Sequence, residues 1–204
     1  MTETHETEMI DVVFSIRGST VVEDHALLLW QALRAELPWL EEESDAAVLP
    51  LERLGKGDGL RFVGPRARLV LRLPQRRVAS ADFLSGRRLS LCDDIEVGVR
   101  STRALAPSRV IHSSCVDVGT ADEGEFLEIC RNWLIDQGMR PEIVCGRGRA
   151  FQVEGGTARG FSLMLYGLTG LQTLALQQSG LGDNRRLGCG IFVPHKNVAA
   201  VGSE

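Results

Sequence analysis

Two ferredoxin-like (RRM-type) halves in one α+β chain are what the sequence predicts, on three observations. The chain has 204 residues and is 44% apolar, enough for one domain or for two cores of about 90–100 residues each. Its hydrophobic periodicity runs strand, helix, strand, strand, helix, strand, and then repeats that order. Between the repeats Ser101, Thr102, Pro107 and Ser108 cluster, as a linker should. The expected organisation is a tail over 1–9, a first domain over 10–100, a linker over 101–108, a second domain over 109–196 and a tail over 197–204.

Taken in order, Ile10–Arg17 alternates apolar and polar residues and reads as the first strand. Glu23–Leu37 places Ala26, Leu29, Trp30 and Leu33 on one helical face, and Pro38 ends it. Acidic Glu23 and Asp24 suit that helix start. Ala46–Leu54 and Leu60–Leu73 read as strands joined across the G-K-G-D-G turn at Gly55–Gly59. Val78–Leu84 is a short helix, and Arg88–Cys92 and Ile95–Arg100 are strands. The second half opens with a strand at Arg109–Val118. A helix follows at Glu123–Gln137, with Phe126, Leu127, Cys130 and Leu134 inward and Gly138 as its C-cap. Glu142–Val153 and Gly160–Tyr166 are strands, Thr169–Ser179 a helix, and Gly190–Val193 the last strand.

Composition narrows the function classes. No apolar run approaches the ~20 residues of a spanning helix, and the polar, acidic N-terminus is no secretory signal. The expectation is a soluble cytoplasmic protein without a membrane partner. Five cysteines (Cys92, Cys115, Cys130, Cys145, Cys189) form no C-x-x-C pair, so neither a zinc site nor a disulfide framework is indicated. Histidines and carboxylates show no metal-ligating spacing, and no metal or cofactor is expected. The net charge of −4 argues against nucleic acid, but its distribution does not. Arg61–Arg88 holds eight arginines against the single acid Asp82. Arg140–Lys196 carries seven basic and three acidic residues. Basic stripes on an acidic chain can still form an RNA face.

The chemistry-bearing stretch is Ser179–Lys196, S-G-L-G-D-N-R-R-L-G-C-G-I-F-V-P-H-K. Gly180, Gly182, Gly188 and Gly190 surround Arg185 and Arg186. Such a loop can turn amides toward an anion beside arginine forks. It can equally be an ordinary helix–strand connection with glycine at the helix C-cap. The Walker triplet is absent, and the dinucleotide fingerprint needs strand before glycines and helix after, the reverse of the order here.

Gly-Leu-Gly, a basic pair and then Leu-Gly-Cys-Gly-Ile-Phe-Val-Pro resembles the C-terminal glycine-rich loop of the CRISPR repeat-processing endoribonucleases. These form the Cas six family of the RAMP superfamily. The early Asp24–His25 is similar to the small Myxococcus-type variant. The resemblance runs from about Ile10 to Lys196 and is strongest in the loop and the first 40 residues. It implies tandem RRM-type domains, RNA held by loops and arginines, and cleavage by the RNA's own 2′-hydroxyl with a 2′,3′-cyclic phosphate product.

Histidine suits such proton transfers because its pKa lies near neutrality. His25, at the start of the first helix, is the catalytic candidate, and a histidine there resembles the family, whose general acid/base often lies on or just after that helix. The alternative is that it only caps or packs there. His5 falls in the tail, His112 sits mid-strand as a structural histidine, and His195 ends the last strand beside Lys196. A tyrosine or lysine that family members place beside the histidine has no clear counterpart. Tyr166 is in the second half, and Lys56, Arg17 and Ser15 are weak substitutes.

For RNA contact the candidates are Arg147 and Arg149, in G-R-G-R, and Gly180, Gly182, Arg185, Arg186, Gly188 and Gly190. Arg66, Arg68, Arg76, Arg77, Arg87 and Arg88 would extend the path. The expected partners are CRISPR repeat RNA or crRNA and other effector-complex subunits. The rivals are a non-catalytic crRNA-binding subunit of the same fold and a nucleotide-binding ferredoxin-like regulatory domain.

Overall fold

A computed structural model describes residues 8–195. The chain forms two compact units. The first runs to Leu105 and includes the separate segments Phe151–Thr157 and Arg185–Gly188; the second holds Ala106–Ala150, Ala158–Asn184 and the chain from Cys189.

In the first unit β1 (Met9–Arg17) leads through β2 (Thr20–Val22) to helix α1 (Ala26–Glu36). There follow β3 (Ala47–Val48), β4 (Gly55–Lys56), β5 (Leu60–Phe62) and β6 (Arg68–Pro74). A one-turn helix α2 (Val78–Ala81), β7 (Arg88–Ser90) and β8 (Asp94–Ala104) complete it. The main sheet has the order β3-β6-β1-β8-β7, and β2-β5-β4 make a small separate sheet. Alternation along β1 buries Val12, Phe14 and Ile16, and α1 covers the core with Leu29, Trp30 and Leu33. Burial of each such side chain contributes about 1.5–3 kcal/mol.

The second unit comprises β9 (Val110–Val116), α3 (Glu123–Asp136), β10 (Glu142–Val153), β11 (Gly156–Tyr166), α4 (Gly170–Ser179) and β12 (Val193–Pro194), with sheet order β10-β11-β9-β12. Asp122 caps α3 by accepting from the Glu125 amide at 2.8 Å. Phe126, Cys130 and Leu134 recur at four-residue spacing and bury against Ile111, Leu163 and Leu165. Thr169 and Gln172 form a reciprocal capping box on α4, which satisfies two otherwise orphaned amides.

Both principal sheets thus place the first strand centrally, between the third and fourth of the repeat, which is the ferredoxin-like order the periodicity predicts. Boundaries differ where pairing overrides local pattern. The stretch expected as two long strands at Ala46–Leu73 splits into four short ones, because the glycine-rich turn folds back as its own β4–β5 hairpin onto β2. Ser101–Ala104, expected in the linker, continue β8, since Thr102 and Arg103 pair with Val12 and Asp11. The last strand is only Val193–Pro194, because Gly190 turns at φ +67.

Below this framework lies a buried ion pair. Asp11 accepts from Arg72 Nε at 2.7 Å and from Arg103 Nη2 at 3.0 Å, and Arg72 is fully buried. No helix among the described residues is long and apolar enough to cross a membrane, which says nothing of a β-barrel.

Candidate functional site

His25 is the N-cap residue of α1, with its backbone in the helical region and its side chain largely buried at 8% exposure. Its Nδ1 lies 3.0 Å from the Val22 carbonyl oxygen and 3.1 Å from that of Glu23. A carbonyl can only accept, so Nδ1 carries the proton in the neutral ring and Nε2 holds the lone pair. The segment presenting His25 is braced from both sides. The Glu23 amide donates to the Gly59 carbonyl at 3.1 Å, and Arg61 pairs with the Glu23 carboxylate. Asp24 accepts from the Gln152 amide at 2.8 Å, which joins the 151–157 segment to this helix start. Sequence reasoning did not anticipate that bond, since 128 residues separate its partners.

The glycine-rich loop departs from the anion-cradle expectation. The amides of Gly180, Leu181, Asp183, Gly188, Cys189 and Gly190 all donate to carbonyls of the protein itself. Gly182 and Gly190 are required for that packing. Both have positive φ, and a Cβ would stand 2.2 Å from the Asp117 oxygen at Gly182 and 2.3 Å from the Leu181 oxygen at Gly190. Asn184, at φ 57, donates to the Asp117 carboxylate at 2.7 Å and pins the turn.

The two loop arginines are likewise committed to protein. Arg186 donates to the Glu41 carbonyl at 2.7 Å, and its guanidinium lies 5.1 Å from the Trp30 ring centre. Arg185 is half-buried, and burial, with Arg72 nearby, draws it down to about 10. The pair therefore holds the turn within the first unit, and the loop amides and Arg186 make the contacts a structural turn needs. The sequence signal that would have found this is the N-R-R triplet itself, a left-handed asparagine followed by one helical turn.

Arg147 and Arg149 lie within β10, not at its turn, and both are exposed. β10 is the edge strand of its sheet, a position where backbone groups can meet a partner, although at Gln152 the amide is already bonded to Asp24. Arg149 also reaches the Cys115 thiol. A hydrogen bond from Cys189 at 3.3 Å, followed by Arg149, holds that thiol down to about 7, while Cys189 is pushed up.

The expected extended arginine path is mostly absent. Arg76 and Arg77 pair with Glu43, Arg87 with Glu36, and Arg68 donates to the carbonyls of Pro65 and Ala67. Arg66 and Arg88 remain exposed.

His112 and His195 come together in the second unit with ring centres 5.4 Å apart, a pairing that their 83-residue separation hides in the sequence. Burial, then His195, lowers the His112 pKa. Tyr166 lies against Glu142, whose carboxylate raises the phenol. His5 and Lys196 fall outside the described residues. Among the described residues no group of three or more histidines, cysteines or carboxylates is arranged to hold a metal ion.

Known proteins resemble this chain along nearly its whole length. The family model described as Cas6 Crispr matches residues 10–197. A CRISPR-associated endonuclease Cas6 from Myxococcus xanthus is 35% identical over 203 residues, covering 96% of this chain and 85% of the relative. The solved structure of a CRISPR-associated protein Cas6 superposes with a TM-score of 0.67 at 12% identity, over 93% of this chain and all of the other. A Cas6-related protein from Pyrococcus furiosus superposes with a TM-score of 0.66 at 12% identity, over 91% and 98%. The structural likenesses confirm the tandem ferredoxin-like architecture. The expectation of a CRISPR-associated endonuclease is borne out by the Myxococcus relative. By family model and by curated relative, the chain belongs to the Cas6 family of CRISPR-associated proteins.

Proposed function

We propose that this protein is a metal-independent endoribonuclease that cuts CRISPR precursor RNA within its repeats and retains the processed crRNA for an effector complex. Family membership supports the substrate class. The observation that carries the mechanism is the His25 tautomer, fixed by two carbonyls at Nδ1. Nε2 is then the proton acceptor for the 2′-hydroxyl of the nucleotide before the cut. As that proton leaves, the 2′-oxygen attacks the adjacent phosphorus. The bond to the 5′-oxygen breaks, and that oxygen takes up a proton. The products are a 2′,3′-cyclic phosphate and a 5′-hydroxyl. A positioned base of this kind contributes about 10²–10⁴-fold to rate. Arg147 and Arg149, exposed on edge strand β10, are the proposed contacts to the RNA backbone.

The non-catalytic crRNA-binding reading draws on one observation, the 8% exposure of His25. End-labelled repeat RNA incubated with the protein in EDTA separates the two. Cutting is expected with wild type and should be lost with His25→Ala, or with a 2′-deoxy nucleotide before the cut, while binding persists. Tight binding without cutting by wild type would leave an RNA-holding subunit.

A further inference from the structure

Phe62 is 52% exposed and Leu60 40% exposed, both on β5 of the small sheet. Register places Phe62 between Thr20 of β2 and Gly55 of β4, and Leu60 beside Val22. The two exposed side chains therefore share one face, two residues apart. The Phe62 ring is seated on glycine. A Cβ at Gly57 would lie 3.0 Å from Cε2 of the ring, and one at Gly55 3.2 Å from the Phe62 Cβ. Two bare glycines lie close beside the Phe62 side chain, and about half of that residue stays open to solvent.

Nothing in the core requires this arrangement, and an exposed phenylalanine contributes little to folding. Its size and position identify what it fits. Two neighbouring side chains make a patch far below the roughly 800 Å² per partner that a stable protein interface buries, but one matched to a single planar base. The hairpin is bonded through Gly59 to Glu23, two residues before His25, and Lys56 stands exposed on the same hairpin as a cation for the backbone. We propose that Phe62, flanked by Leu60, is a stacking platform for one unpaired nucleobase close to the scissile phosphate. It would position the RNA at His25 without itself taking part in the chemistry. The inference rests on the RNA-processing reading above and adds the residue that registers the strand.

The test measures affinity and cleavage in EDTA for wild type, Phe62→Ala, Phe62→Leu and Phe62→Trp. The substrates are intact repeat RNA and a series with one abasic nucleotide walked through the repeat. Phe62→Ala should bind intact RNA about 5- to 150-fold more weakly, the loss expected for one stacked base. One abasic position should cause the same loss with wild type, and Phe62→Ala should add nothing on that RNA. Phe62→Trp should bind as wild type, whereas Phe62→Leu should not. Equal affinity and cleavage by Phe62→Ala and wild type would overturn the platform and leave the nuclease intact. Full rescue by leucine, or a self-association of wild type that Phe62→Ala abolishes, would make the patch an apolar protein contact instead. Failure of wild type to bind any repeat RNA would overturn the RNA-processing reading and the platform with it.

Discussion

Replacing Gly190 by alanine tests whether the glycine-rich loop is scaffold or ligand cradle. Gly190 sits at φ +67, and a Cβ there would meet the Leu181 oxygen at 2.3 Å. The left-handed backbone alone costs about 1–2 kcal/mol for a residue with a Cβ. The Leu181 amide donates to the Gly190 carbonyl at 3.1 Å, and a loop displaced to relieve the contact loses that bond, worth about 0.5–1.5 kcal/mol. The expected destabilisation is therefore about 1.5–3.5 kcal/mol with little change in m. Gly59 is the control, because its φ is +68 but nothing lies within 4 Å of its Cβ direction. Gly59→Ala should cost only the backbone strain, about 1–2 kcal/mol. Urea unfolding of the three proteins reads the difference. Equal losses at the two glycines would refute the packing argument. A Gly190→Ala protein as stable as the control but unable to bind repeat RNA would restore the cradle.

Three other outcomes follow from the same geometry. Asp11→Ala leaves Arg72 fully buried without its carboxylate and should cost about 3–5 kcal/mol, whereas the double change Asp11→Leu with Arg72→Met should recover most of it. Urea midpoints decide, and an equally unstable double variant would show that the pair is not the source. The His112 pKa lies below the 6.5 of the free group, so the unfolded chain takes up that proton first. Stability is intact above about pH 6.5 and is lost as pH falls through the folded value; His112→Gln should flatten that part of the curve. Arg147→Ala should reduce the slope of log affinity against log salt by about 0.7, the contribution of one phosphate on a single strand. Arg76→Ala, whose guanidinium already pairs with Glu43 at 2.8 Å, should leave the slope unchanged.

The parts of the molecule written in local pattern were legible, and those written in long-range pairing were not. Periodicity of 2 along Met9–Arg17 and of 3.6 along Glu123–Asp136 fixes which face is buried, and that face dictates the layer order. The glycines at 182 and 190 announce positive φ, yet whether the turned backbone meets an anion or the Asp117 and Leu181 carbonyls depends on chain far away in sequence. Charge is the clearest case. Arg61–Arg88 reads as a basic stripe only while Asp11, Glu23, Glu36 and Glu43 are counted elsewhere; folding returns those four carboxylates to Arg72, Arg61, Arg87 and the Arg76–Arg77 pair. The stripe keeps only Arg66, Arg68 and Arg88 without such a carboxylate, and its field on RNA is correspondingly weakened. Arg147, exposed on an edge strand and without an acidic partner among the described residues, is the arginine whose loss should be felt most in binding. The catalytic argument has the opposite character. That His25 opens a helix is local and visible in sequence, but its tautomer is not, because it rests on the Val22 and Glu23 carbonyls turning inward as β2 ends. In the mechanism proposed above, the proton acceptor at Nε2 is set by backbone geometry, so a substitution that moved those two carbonyls should alter cleavage while leaving His25 itself in place.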